Sequence, residues 1–380
     1  MHTDWRPALA QRALAACAAA ILTCSLLSCA GGKENAPIRI GSVLDLTGAG
    51  ASYGKKMQSA FSLAVDEANG RGGVAGRQIQ LAIEDFQWDP ALALAAYRKL
   101  TGVEGIGLIV GITGSKNAIP IAEASKKDDV VIVDALTSSP KLSTDGGPNY
   151  FRVMPSDAMA GLYNVSWAQA SGMRRPALLY VEDDWGVSYR NAVSRTLALQ
   201  GFSDVPAIGV VAGTRDFRTQ VEQLRQSSPD TVFLLVYAQE GGSFMQQARQ
   251  AGLRAEIYGS DNLSAAEFIA VGAPIVEGVR VALPSAVSGP AYDSFVVRFK
   301  KRFGDVPDAI VIKSYDAMGV ALQALAQVGD SPDAIRTYLH SPQFSYQGVS
   351  GEIRFDGNGD LASQKYTRMV YRGGKLVPFA

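Results

Sequence analysis

Cysteine and histidine are scarce in this chain: 380 residues hold three of the first and two of the second. Cys17, Cys24 and Cys29 all lie at the start, so no disulfide can form within the rest of the fold. A domain without bridges must hold itself together through its core, which takes size. A Ser-His-Asp triad or a histidine-rich zinc site would have to be built around His340. That residue stands beside Ser341-Pro342 at an expected helix end and reads as a partner of terminal carbonyls. Excess charge is absent too, with 36 basic residues against 36 acidic, and no clustered basic face offers itself to nucleic acid. Beyond the first segment no apolar run approaches the ~20 residues that span a bilayer. No enzyme mechanism, cofactor, metal or nucleic-acid partner is expected.

What is present begins at the N-terminus. Residues 1–12 carry two arginines against one acid, and residues 13–27 are almost unbroken alanine, leucine, isoleucine and cysteine. The run stops at Leu26-Leu27-Ser28-Cys29. A basic start, a short apolar stretch and a small residue before a cut read as a secretory signal, expected to be removed as residues 1–28, the alternative being an uncleaved N-terminal anchor. Leu26 and Ser28 ahead of Cys29 resemble the lipobox of bacterial lipoproteins. That resemblance implies acyl chains on Cys29 and a membrane-surface location, each buried methylene contributing ~0.8 kcal/mol. Residues 29–37 are small and polar and read as a tether. Losing Arg6, Arg12 and Asp4 with the leader leaves one more acid than base.

The remaining chain of about 350 residues exceeds the size that one core usually serves, so two lobes are expected. Strand and helix patterns alternate. Residues 38–45, 78–85, 107–111 and 130–134 read as strands, separated by helical stretches such as 57–69, which stops at Gly70. After Tyr150-Phe151-Arg152 a second set begins, with strands at 177–181, 205–211, 231–236, 256–259 and 278–283. Helices follow near 292–303 and 311–328, and strands close the chain at 351–355 and 364–371. Such alternation means α/β lobes built on parallel sheets with helices on both faces.

The residues then carry a resemblance. Strand 38–45, Thr47-Gly48, Tyr53-Gly54, Asp66-Glu67-Ala68-Asn69 and Gly72-Gly73-Val74-Ala75-Gly76-Arg77 are similar to the opening of the leucine/isoleucine/valine-binding type of periplasmic binding protein. It continues through Ala135-Leu136-Thr137-Ser138, Asp183-Trp185-Gly186, Tyr315-Asp316-Ala317 and Phe355-Asp356-Gly357-Asn358-Gly359-Asp360. The resemblance implies two Rossmann-like lobes joined by a three-segment hinge, with residues 38–154 and 284–350 in one lobe and 155–283 and 351–380 in the other. Ligand would lie between them, outside the carboxyl ends of the strands.

On this reading Ser115 starts a helix after one strand, where free N–H groups and the helix dipole favour an anion, and Thr137 follows the neighbouring strand. The resemblance implies that both grip an α-carboxylate and that the Ala135 carbonyl accepts from the ammonium. Alone, Ser115 reads equally as a helix cap and Thr137 as a turn residue before Pro140. Asp261, after strand 256–259, is expected to face the ammonium, since a carboxylate in a closing cleft is costly without a cation. It also stands where a helix cap could be. Tyr53, Trp185 and Tyr237 are expected as aromatic walls, with Ile310 adding an apolar one.

Two motifs carry less than they suggest. Gly70-Arg71-Gly72-Gly73-Val74-Ala75 follows a helix and precedes a strand, the reverse of what dinucleotide binding requires. Asp356-Gly357-Asn358-Gly359-Asp360 lacks the closing glutamate of a calcium loop and reads as a turn between the last strands. The expected function is capture of an amino acid for the permease subunits of an ATP-driven importer, with a membrane contact through Cys29. The alternative is a ligand-sensing receptor for an amide, urea or small organic acid.

Overall fold

The computed structural model describes residues 36–285 and 288–379; the expected leader, Cys29 and the tether up to Asn35 lie outside them. The first sheet takes β1 (Ile38–Leu44), β2 (Ile79–Asp85), β3 (Leu108–Ile112), β4 (Val131–Asp134) and β5 (Tyr150–Arg152) in the order β2-β1-β3-β4-β5. All its pairings are parallel. β3 and β4 are buried along their whole length, as strands covered on both faces should be. Alternate residues serve opposite faces. Leu108, Val110, Val131 and Val133 enter one apolar cluster with Phe61 and Met57, whereas Ile109 and Ile132 enter another with Tyr97 and Leu100.

The second sheet repeats the plan with β6 (Pro176–Val181), β7 (Ala207–Val210), β8 (Thr231–Leu235), β9 (Glu256–Gly259) and β10 (Arg280–Pro284). These are parallel to one another. A small antiparallel hairpin, β11 (Tyr346–Gly348) with β12 (Gly351–Ile353), precedes β13 (Tyr366–Arg372) and β14 (Lys375–Pro378). β13 adds antiparallel to β10, and β14 to β13. β14 was not expected; its signal is Gly373-Gly374, both at positive φ, the residues a tight hairpin turn needs.

The chain crosses between the sheets three times. The first crossing follows β5 and the second follows β10. The third falls about ten residues later than the sequence suggests, because Ile353, Phe355 and Leu361 pack into the first lobe's core. There the Phe355 ring lies 5.2 Å from Phe151 and 5.3 Å from Phe344. The 356–360 loop is a turn closed by an antiparallel bridge between Phe355 and Leu361, but it joins no two strands of one sheet, since β12 pairs with β11. It lies on β5, where Arg152 N–H donates to the Gly359 carbonyl at 2.9 Å. Gly359, at φ +77°, has no room for a side chain, since a Cβ would stand 2.1 Å from the Tyr150 carbonyl oxygen. The chain passes to the second sheet between Leu361 and Tyr366.

The helix Ala309–Val328 corrects another expectation, being long and apolar enough to cross a membrane by length and composition. It is a core helix, with Ala317, Val320, Ala321 and Ala324 wholly buried in the first lobe. His340 ends the helix Pro332–Leu339, with Nε2 2.9 Å from the Pro148 carbonyl oxygen and its ring 4.6 Å from Phe151.

Candidate functional site

The first lobe brings three loops to one edge of its sheet. After β1, the Asp45 carboxylate accepts from Gly48 N–H and Gly50 N–H, each at 2.6 Å, and folds the chain into the helix Ala51–Gly70. That helix starts so close to β1 that a Cβ on Gly54 would lie 1.9 Å from the Asp45 carbonyl oxygen. Its neighbour Tyr53 is half-buried and faces the cleft. Burial, then the charges of Glu267, Asp261, Glu240 and Asp308, push its phenol up to about 12. Three of those acids belong to the second lobe.

After β3, Gly114 at φ +84° turns the chain into the helix Ser115–Ser125. Ser115 is buried, and its Oγ accepts from Ser139 N–H at 3.2 Å. After β4, the Asp134 carboxylate gathers its own turn. It accepts from Ala135 N–H at 2.6 Å, Ile112 N–H at 3.1 Å and Tyr150 Oη at 2.5 Å. Thr137 Oγ1 donates to the same carboxylate and lies 2.5 Å from Tyr150 Oη. The Thr137 hydroxyl is thus occupied within the lobe, and what this residue leaves open is its backbone. Among the described residues, no partner is found for the N–H groups of Ser115, Lys116, Thr137 or Ser138, nor for the Ala135 carbonyl. Four unpaired donors at adjacent strand ends, two on a helix N-terminus, make a setting for an anion.

The second lobe presents acids and aromatic rings. Asp261 opens a short 3-10 turn, Asp261–Ser264, and the helical pieces that follow use no side-chain cap. Its capping role is therefore not taken up. Burial raises its carboxyl above the usual range. Asp157 is the residue that sequence reasoning missed. It begins the helix Asp157–Ala170 at the first crossing and accepts from Ser138 Oγ at 2.8 Å and Trp185 Nε1 at 2.6 Å. Burial, then the charge of Asp261, hold its carboxyl well above the ordinary value. The available signal was an acid directly after Ser156, which caps that helix from the first crossing.

Trp185 is buried and stacks on Tyr237, with centroids 4.8 Å apart and planes at 23°. Tyr237 Oη donates to Asp183 at 2.7 Å, and Asp183 also caps the helix that carries Trp185. Both rings are fixed by bonds at the ends of β6 and β8. Trp88, a further aromatic not anticipated, sits between the first lobe's loops, where a Cβ on Gly50 or Gly114 would strike its ring. Ile310 is half-buried and packs against the first lobe's core, two residues from Asp308.

The lobes are in contact. Ser139 Oγ lies 2.7 Å from Ser188 Oγ, Ser138 reaches Asp157, and Lys141 lies 3.7 Å from Asp184. Beside Asp157, Asp261 and Tyr366 a cavity of about 10 Å³ remains, room for about one water.

Two α/β lobes whose strand ends meet at a polar, aromatic-walled cleft define a solute receptor. The chain belongs to the periplasmic binding protein family, whose model matches residues 37–375; its members are receptors rather than enzymes. It is 26% identical over 352 residues to the Leu/Ile/Val-binding protein BraC3 of Rhizobium johnstonii, covering 90% of this chain and 94% of that one. The leucine binding protein LivK of Thermotoga maritima shares the fold at TM-score 0.80 and 24% identity, over 90% of this chain and 98% of that one. A solute binding protein of R. palustris in complex with benzoate does so at TM-score 0.77 and 17% identity, over 90% and 95%.

Proposed function

We propose that the cleft binds an α-amino acid, branched-chain or similar, and delivers it to an ABC importer outside the cytoplasm. The observation that carries this reading is the pairing of opposites in one cleft. Unpartnered N–H groups at Ser115, Lys116, Thr137 and Ser138 face an α-carboxylate, and the buried Asp157 and half-buried Asp261 face an ammonium. The Ala135 carbonyl is a further acceptor for that cation. Tyr53, Trp185 and Tyr237 wall the side chain, with Ile310 at the first lobe's margin. The names of the Rhizobium and Thermotoga relatives support the ligand class.

A receptor for a small organic acid or amide is the competing reading, and the benzoate-binding neighbour gives it a structural precedent. The buried Asp157 and half-buried Asp261 argue against it, because neither ligand brings them a cation. Calorimetry against amino acids, benzoate and simple amides decides between the two. With the amino acid that binds, Asp261→Ala should cost roughly 2 to 5 kcal/mol, as loss of a buried charge pair does. A change of less than about twofold in Kd would remove the main support for an amino acid.

The anchor belongs to the same proposal. Cys29 carries the lipid, and Cys29→Ser should appear in the soluble fraction or as uncut precursor. A variant processed normally and retained on membranes would sink the lipoprotein reading.

A further inference from the structure

Arg152 takes no part in the site as derived so far, yet its side chain is wholly buried at the end of β5. A buried guanidinium is expensive unless every donor is used. Nη1 donates to the Ser139 carbonyl at 2.8 Å and lies 3.5 Å from that of Thr137. Nη2 donates to Ser143 Oγ at 2.7 Å, and Nε donates to Asp360 Oδ1 at 2.6 Å. Asp360 closes the 356–360 loop, in which Asp356 Oδ1 accepts from Asn358 N–H and Asp360 N–H. That loop immediately precedes the third crossing. The Thr137 carbonyl shares its peptide unit with the Ser138 N–H, which therefore points away from the guanidinium, whereas the Ser139 carbonyl leads into Pro140, which has no N–H, and serves as an anchor for the segment. Arg152 therefore grips the carbonyls of the 137–139 segment from beneath.

We propose that Arg152, held by Asp360, is a positioning residue: it anchors the Thr137–Ser139 backbone so that the free Ser138 N–H meets the ligand's carboxylate, and ties that segment to the third crossing. This rests on the reading of the cleft as a carboxylate site. Its fixed positive charge acts in the same direction, and it also reaches Asp157, whose carboxyl it draws down against burial.

The test compares L-leucine with L-leucinamide, which keeps the ammonium and the side chain but lacks the carboxylate. Arg152→Met should weaken L-leucine tenfold or more and L-leucinamide less than twofold. Arg152→Lys should recover part of the loss, because a lysine reaches one carbonyl but cannot fork. Asp360→Asn, which leaves the guanidinium in place, should weaken L-leucine about threefold. It also provides a measurement if Arg152→Met does not fold. Equal losses for both probes would make Arg152 merely structural, and no loss for either would overturn the proposal outright. If the wild type binds benzoate but not L-leucine, the amino-acid reading fails while the proposal stands or falls on a tenfold loss of benzoate affinity in Arg152→Met. Wild-type protein that binds neither carboxylate overturns both.

Discussion

Asp157 and Asp261 line one small cavity, and the carboxyls of both are raised, chiefly because desolvation disfavours the charged form. The sign of the consequence follows directly. In the window above the ordinary carboxylate range, about pH 4, the folded ligand-free protein holds protons that the unfolded chain has released, so its stability falls as pH rises. An entering ammonium replaces such a proton, so ligand affinity should rise over the same window, by at most about tenfold per pH unit for one proton released. Melting and calorimetry at pH 5 and pH 7 should therefore move in opposite directions, and Asp261→Asn should flatten both trends. An affinity independent of pH across this range would show that the pair is already charged before ligand arrives. The Thr137 hydroxyl should contribute little to either trend, since Asp134 and Tyr150 already hold it.

Elements with an unbroken apolar run were legible in the sequence: the strand expected at 107–111 is Leu108–Ile112, and that at 130–134 is Val131–Asp134. Helix starts were harder. The helix expected from residue 244 begins at Ala238, because Gly241 and Gly242 obscure its period. Those glycines answer to tertiary packing, since a Cβ on them would stand 2.5 Å from Leu263 Cδ2 and 2.7 Å from Val271 Cγ1. A single sequence shows the weak helix former but not the neighbour that demands it. The third crossing was misplaced for a related reason. Alternation marks 351–355 as extended, whereas the partner that ties Phe355 to the first lobe, Phe151, lies far away in the chain. The site divides the same way. The resemblance offered Ser115, Tyr53, Trp185, Tyr237 and Asp261 as candidates, but the turn of the Thr137 hydroxyl toward Asp134 and the grip of Arg152 on the 137–139 segment are products of packing.

At the scale of the whole molecule, the closed arrangement leaves about 10 Å³ beside the two acids, too little for an amino acid to sit between them. Entry therefore requires the lobes to part. Of the contacts that cross the cleft, Lys141 and Asp184 are exposed and 3.7 Å apart, a pair worth about 0 to 1 kcal/mol. The Ser139–Ser188 and Ser138–Asp157 hydrogen bonds each add on the order of 1 kcal/mol net. Against these modest attractions stands the cost of burying Asp157 and Asp261 without a cation, so closure of the empty protein is weakly favoured at best. A ligand changes that balance only by its differential affinity for the closed form, and an ammonium between the two acids has such a preference because it relieves a penalty that the open form does not carry. Small-angle scattering should accordingly show a broader particle without ligand and a more compact one at saturation. The compaction should be smaller in Asp261→Asn, which carries less of the penalty that ligand relieves. A profile unchanged at saturation, with binding verified by calorimetry, would mean that the lobes do not move and that ligand reaches the cleft by another route.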